Sequence, residues 1–201
     1  MTVGQRFVRL TTHAVVRWPW LWPVFRPVIR RQFDRLASVW EGMRLEDTLA
    51  PYEAALARIS GPGRDVLDVG TGTGAGARAL QARFDGANVV GIDVSGPMLA
   101  EARKHAPGLT FLMGDAAHLP FDDGSFDVVA QNNMIPFLDE VRRVLRPGGW
   151  AVFAFSSGAE TPIWVEPERL RAELDRRGFT DFAEVAAARG VAVVARRAQR
   201  H

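Results

Sequence analysis

Short apolar runs recur through the middle of the chain, most of them closed by a polar or acidic residue. Val66-Leu67-Asp68-Val69, Val89-Val90-Gly91-Ile92-Asp93, Leu109 to Ala116, Phe126 to Gln131 and Trp150 to Phe155 each have the length and content of a strand. Helical patterns separate several of them: Ala75 to about Phe84, Ser95 to about His105 with Ser95 as N-cap, and Phe137 to Leu145. Nearly continuous apolar strands alternating with helices predict a mostly parallel sheet covered on both faces, an α/β doubly wound fold. Glu166 to Leu174 reads as a helix opened by an acid and a proline. Phe182 to Val185 and Val191 to Ala195, joined through Arg189-Gly190, read as a closing antiparallel hairpin.

Chemistry concentrates at the strand ends. Asp68 stands in a strand that runs into Gly70-Thr71-Gly72-Thr73-Gly74 and then a helix. Glycines there let the backbone come close to a nucleotide-like ligand, and the helix start offers unpaired N–H groups to it. Asp93, closing the next strand, suits the two hydroxyls of a ribose.

Four ordered segments resemble the class I S-adenosylmethionine-dependent methyltransferases, in the broad branch that includes ubiquinone- and menaquinone-biosynthesis enzymes. They are Val66 to Gly74; Gly91-Ile92-Asp93-Val94-Ser95 with Met98-Leu99; Gly114-Asp115-Ala116 followed by Leu119-Pro120-Phe121-Asp122-Asp123-Gly124-Ser125-Phe126-Asp127; and Arg143-Val144-Leu145-Arg146-Pro147-Gly148-Gly149. The resemblance covers roughly residues 64 to 157. It implies a seven-stranded Rossmann-like sheet and S-adenosylmethionine as cofactor. Asp68, Gly70, Thr71, Gly72 and Gly74 would surround its methionine portion, with Asp68 facing the ammonium end. Asp93 and Val94 would meet the ribose, Met98 the adenine face, and Asp115 with the Ala116 N–H the adenine edge. Gln131 and Asn132 would hold the methionine carboxylate or the acceptor. Trp40, Asn133 and Trp164 are the candidate substrate contacts.

The resemblance also has departures. The stretch from Phe126 to the Arg-Pro-Gly-Gly turn is shorter than the family pattern, and Met134-Ile135-Pro136-Phe137 stands where paired histidines are common. Phe33 replaces a common tyrosine in the covering helix Phe33 to Glu41, and Arg44 is a candidate partner for the cofactor carboxylate. No general base is identified. His118 falls near the expected adenine rim, and His13 would reach the site only if the N-terminal arm folds over it.

Composition narrows the classes. The chain has 201 residues, 47% of them hydrophobic, which suffices for one core. The absence of cysteine excludes disulfides, thiolate zinc sites and a cysteine nucleophile, and the four histidines have no metal-ligand spacing, so no metal is expected. Residues 1–44 carry eight arginines against Asp34 and Glu41, a balance of +6 that leaves −4 for residues 45–201 given +2 overall. The expected division is therefore a basic, aromatic-rich N-terminal helical arm or lid over 1–44 and the cofactor-binding methyltransferase domain over 45–201. Trp18-Pro19-Trp20-Leu21-Trp22-Pro23 fits ordinary packing, a lid over an apolar pocket, or peripheral membrane contact. Pro19, Pro23 and Pro27 are expected to forbid one continuous helix there. No span or leader is read, so a cytoplasmic location is expected.

These readings converge on methyl transfer to a small, apolar or aromatic acceptor. The rivals are a non-catalytic protein binding S-adenosylmethionine or S-adenosylhomocysteine, and an NAD(P)-dependent oxidoreductase, since Gly72-Thr73-Gly74-Ala75-Gly76-Ala77 fits a loosened dinucleotide pattern. A nucleic-acid acceptor ranks low, because no target-recognition insertion is visible.

Overall fold

The structure is a computed structural model that describes residues 3–43, 47–61 and 63–199. Arg44 and His201 lie outside the described residues. Four N-terminal helices come first: α1 (Val3–Arg17), α2 (Trp22–Leu36), α3 (Trp40–Met43) and α4 (Ala50–Leu56), with 3-10 turns at Pro19–Leu21 and Ala37–Val39. The body follows as β1 (Asp65–Val69), α5 (Ala75–Arg83), β2 (Asn88–Asp93), α6 (Gly96–His105), β3 (Thr110–Met113), β4 (Phe126–Asn132), α7 (Leu138–Val144) and β5 (Leu145–Phe155). It closes with α8 (Pro167–Asp175), β6 (Phe179–Ala187) and β7 (Gly190–Arg197).

The seven strands form one sheet in the order β3-β2-β1-β4-β5-β7-β6. β1 to β5 are parallel, while β7 runs antiparallel to both β5 and β6. The predicted fold class is what the structure shows. Strand order reverses between β1 and β4, so a crevice opens at their C-terminal ends, where doubly wound sheets bind ligands.

Alternation along the strands sends side chains into two cores. Val66 and Val128 join Tyr52, Leu56, Leu80 and Leu99 on one face. Leu67, Val69 and Val129 join Val141, Leu170 and Phe179 on the other, together with Val8, Val15, Trp22 and Ile29 of the arm. The arm is thus packed into the core; Phe7 and Phe25 tie α1 to α2 edge-on, ring centroids 6.3 Å apart.

Three local expectations are corrected. The segment is broken at Pro19, as expected, but one helix, α2, runs through Pro23 and Pro27. Pro23 falls in the first turn, where N–H groups have no intrahelical partner, and Pro27 forgoes only the bond to the Pro23 carbonyl. β3 is shorter than expected, ending at Met113 before Gly114-Asp115 turns away. Arg-Pro-Gly-Gly, read as a turn, belongs to β5: the register to β4 jumps there, from Phe126↔Leu145 to Val128↔Trp150. Gly149 is required at that bulge, since a Cβ would lie 2.7 Å from the Asp127 carbonyl oxygen.

Candidate functional site

The glycine loop leaves β1 through a chain reversal held by two bonds, Gly70 N–H and Thr71 N–H both donating to the Ile92 carbonyl at 2.9 and 3.0 Å. Gly70, Gly72 and Gly74 all have positive φ, at 71°, 54° and 84°. Gly72 faces open space, with no atom within 4 Å of where a Cβ would stand, so the loop's tip is free to meet a ligand. Gly70 is covered by Met134, whose Sδ would be 2.8 Å from an added Cβ.

Asp68 sits beneath this loop, 2% exposed. Its carboxylate accepts from Thr71 Oγ1 at 2.7 Å and from Tyr52 Oη at 3.1 Å. Gly76 makes room for it in the first turn of α5, where a Cβ would be 2.7 Å from Asp68 Oδ1. Burial pushes the Asp68 carboxyl up to about 6, against the opposing pull of the two hydroxyls. Burial, then the neighbouring Asp68 charge, raise the Tyr52 phenol well above its ordinary value. Tyr52 escaped the sequence reading, and Gly76 and Gly91 appeared there only as motif positions with no role at the site. Gly91 is needed because a Cβ there would meet Thr71 Oγ1 and Phe111 at 2.7 Å.

Asp93 ends β2 beside the loop. Its two oxygens take the Gly72 and Ser95 N–H groups, each at 2.9 Å, which fixes the carboxylate and leaves lone pairs for further donors. Burial raises its pKa from the ordinary value. Val94 follows, half-buried; Ser95 caps α6 by accepting from Met98 N, and Met98 is buried at 1% exposure.

β4 brings Gln131 alongside Val69, at the strand-order reversal. Gln131 is 2% exposed, yet neither its Nε2 nor its Oε1 has a hydrogen-bond partner, and the Asn132 Oδ1 next to it is buried and unpartnered too. A buried amide is stable only when it is bonded, so these atoms are available to a polar group that enters the crevice. Asn133, at φ 52°, is instead tied to β5, exchanging bonds of 2.8 and 2.9 Å with Ser156.

The arm crosses the glycine loop and the loops after β2 and β3. Asp115 accepts Trp22 Nε1–H and Arg26 Nη1–H, each at 2.7 Å, one on each oxygen. Ser95 Oγ donates to Asp34 at 2.5 Å, and Thr73 Oγ1 donates to Glu41. Ala116 is buried behind Asp115. Trp40 rests edge-on against Phe33 at 5.6 Å, and Trp164 against Phe155 at 5.2 Å, so each is anchored while still partly exposed. His13 and His118 are both exposed. These contacts make the arm a strap over the loops; its two acids and its tryptophans were visible in the sequence, but their partners are set only by the docked arm.

Comparison with known proteins agrees with this geometry. Residues 66–149 match the family described as methyltransferase domain. The demethylmenaquinone methyltransferase of Beutenbergia cavernae is 44% identical over 116 residues, 54% of this chain and 46% of that protein. The phthiotriol/phenolphthiotriol dimycocerosates methyltransferase of Mycobacterium tuberculosis H37Rv is 41% identical over 112 residues, 51% of this chain and 42% of that one. The chain therefore spans less than half the length of these curated relatives. Among solved structures, DhpI in complex with SAH superimposes with a TM-score of 0.70 at 21% identity, covering 85% of this chain and 95% of that one.

S-adenosylmethionine is the cofactor of that family, and the residues present suit it. Open space over Gly72, the anchored Asp93 carboxylate and the empty Gln131 amide provide a close backbone approach, an acceptor for hydroxyls and a polar partner for an amino-acid end. By its motifs, its sheet and its matched span, the domain is similar to the class I S-adenosylmethionine-dependent methyltransferases.

Proposed function

We propose that the protein transfers the methyl group of S-adenosylmethionine to a small apolar or aromatic acceptor. The bound cofactor supplies the activated methyl; the chain's own residues bind, orient and exclude water. In this reading residues 45–201 form the cofactor domain and residues 1–44 its lid. Asp93 takes the ribose hydroxyls, Asp68 braces the loop and faces the ammonium end, and Gln131 with Asn132 fills its empty amide valences on the methionine end or the acceptor. Val94 and Met98 line the nucleoside side. Asp115 and Ala116 serve the adenine edge once Trp22 and Arg26 share or release the carboxylate. Trp40 and Trp164 wall the acceptor, and Asn133 acts through its hold on Ser156.

The single observation that carries the reading is the Gln131 amide, buried and unpartnered beside the glycine loop. Support for an apolar acceptor comes from the aromatic arm and from the two relatives, named for a quinone and a lipid substrate. Such an acceptor resides in bilayers, so the reading puts the protein in the cytoplasm with its arm in peripheral contact with a membrane. A second reading, cofactor binding without transfer, is favoured by one feature: His13 and His118 are exposed, which leaves no evident histidine base among the described residues near the loop.

Methyl transfer from labelled S-adenosylmethionine to a panel of quinols, phenols and hydroxylated lipids, with hydrophilic amines and phenols alongside, tests the proposal. Transfer to an apolar member is expected. Tight S-adenosylhomocysteine binding with no transfer to any member would favour the second reading, and no binding would overturn both.

A further inference from the structure

The arm's inward face is consumed by the strap, but its outward face has no partner. Eight of the ten large apolar side chains left exposed among the described residues belong to residues 7–43, led by Trp20 at 73% and Leu10 at 70%. They follow helical stripes. On α1, Leu10 shares the exposed face with Arg6 and Arg17; on α2, Val24 and Val28 continue into Arg31 and Arg35 at positions i, i+4, i+7 and i+11. Trp18 and Trp20 project from the turn between the helices, and the Arg17 guanidinium lies over the Trp18 ring at 5.9 Å. An open groove of about 490 Å³ runs along the outside of α2, lined by Val28, Arg31, Gln32, Arg35 and Leu36.

Charge decides what this face fits. The arm's two acids both turn inward, Asp34 to Ser95 and Arg30, Glu41 to Thr73 and Arg78. The charge shown outward is therefore arginine, and Arg31 and Arg35 make no ion pair among the described residues. Indoles and aliphatic side chains interleaved with guanidinium groups are favoured at the boundary between acyl chains and anionic headgroups. A second copy docking by the same face would set arginine against arginine, and a nucleic acid has no use for an exposed valine stripe. No described helix is long and apolar enough to cross a membrane.

We infer that the outward face of α1, the Trp18–Trp20 turn and α2 docks on the surface of a bilayer containing anionic lipid, with the indoles inserted and the Arg31–Arg35 groove on headgroup phosphates. The inference rests on the proposed methyl transfer only for the bilayer-resident acceptor. The surface itself is tested without turnover.

The full-length protein is sedimented with vesicles of phosphatidylcholine alone and of phosphatidylcholine mixed with phosphatidylglycerol. Three forms are compared: wild type, Trp18→Ser with Trp20→Ser, and Arg31→Glu with Arg35→Glu. Thermal unfolding and S-adenosylhomocysteine titration confirm that each form is folded. Wild type is expected to pellet with the anionic vesicles, less so in high salt, and each double variant to bind them more weakly by about tenfold or more. Equal pelleting of all three forms, or no binding to either vesicle, would overturn the inference. So would a concentration-dependent dimer, abolished by the same substitutions, in a protein that ignores vesicles. Loss of S-adenosylhomocysteine binding with vesicle binding intact would overturn the proposed function and leave the docking surface standing.

Discussion

The two carboxylates beside the glycine loop, Asp68 and Asp93, are treated in the opposite way to those at the far end of the sheet. At the N-terminal end of the parallel strands, Arg146 bridges Asp65 at 2.9 Å and Asp127 at 2.7 Å, and its hydrogen bond helps hold the Asp127 carboxyl below its usual range. Nearby, Arg143 does the same for Glu140 and closes on the Leu119 and Phe121 carbonyls. At the C-terminal end, burial pushes Asp68 up to about 6 and raises Asp93, and both are held by hydroxyl or backbone N–H donors. Matched charges finish a structure, whereas Asp68 and Asp93, buried without cations, are suited to the charge and hydroxyls of a ligand. The same family motifs therefore do different jobs. Leu119 to Asp127 and Arg143 to Gly149 tie the sheet's far end, while Val66 to Gly74 and Asp93 build the site.

The largest effect expected from breaking this contrast is at Asp93. Asp93→Ala removes the carboxylate proposed to take both ribose hydroxyls and should weaken S-adenosylhomocysteine binding by roughly 100-fold or more in calorimetry. Gly76→Ala comes next. Its methyl would displace the Asp68 carboxylate, costing about 1–3 kcal/mol in denaturant unfolding and weakening ligand binding with it. Arg146→Met should cost about 1–2 kcal/mol, limited because the pair is partly exposed, and should leave S-adenosylhomocysteine affinity unchanged. An equal loss of affinity in Arg146→Met would erase the distinction between the two ends.

The pH dependence sharpens it further. With its folded value above the unfolded one, Asp68 contributes stability that is lost as pH rises from about 4 to about 6. A ligand ammonium favours the carboxylate, so affinity should rise as pH climbs through about 6. Both dependences should flatten in Asp68→Asn, measured as differences from wild type. Tyr52→Phe is the smallest perturbation, about 1 kcal/mol, and should move the affinity midpoint upward because the carboxylate loses a donor. An unmoved midpoint would remove Asp68 from the titration.

Period and punctuation made the sheet legible: β1, β2 and β4 begin and end within a residue or so of the apolar runs, and Ser95 caps α6 as its type implies. The β5 bulge was not legible, because Arg146 to Gly149 has turn composition and is recruited into the strand only by its register with β4. The glycine loop and Asp93 could be read because their chemistry is local. Tyr52 could not: it reaches Asp68 from a helix outside the motif, and a buried tyrosine carries no spacing signal. Nor could the Trp22–Asp115 and Arg26–Asp115 contacts, which depend on how the proline-bearing helix α2 docks.

The account's central claim is that the C-terminal end of the sheet is built for a polar ligand, and Gln131 tests it most directly. In Gln131→Leu, a buried amide with two unpartnered atoms is replaced by an apolar group of similar size. Thermal unfolding and S-adenosylhomocysteine titration on the same preparation should move in opposite directions: stability equal or higher by up to about 1–2 kcal/mol, affinity lower by about tenfold. Unchanged affinity in a folded variant would contradict the claim.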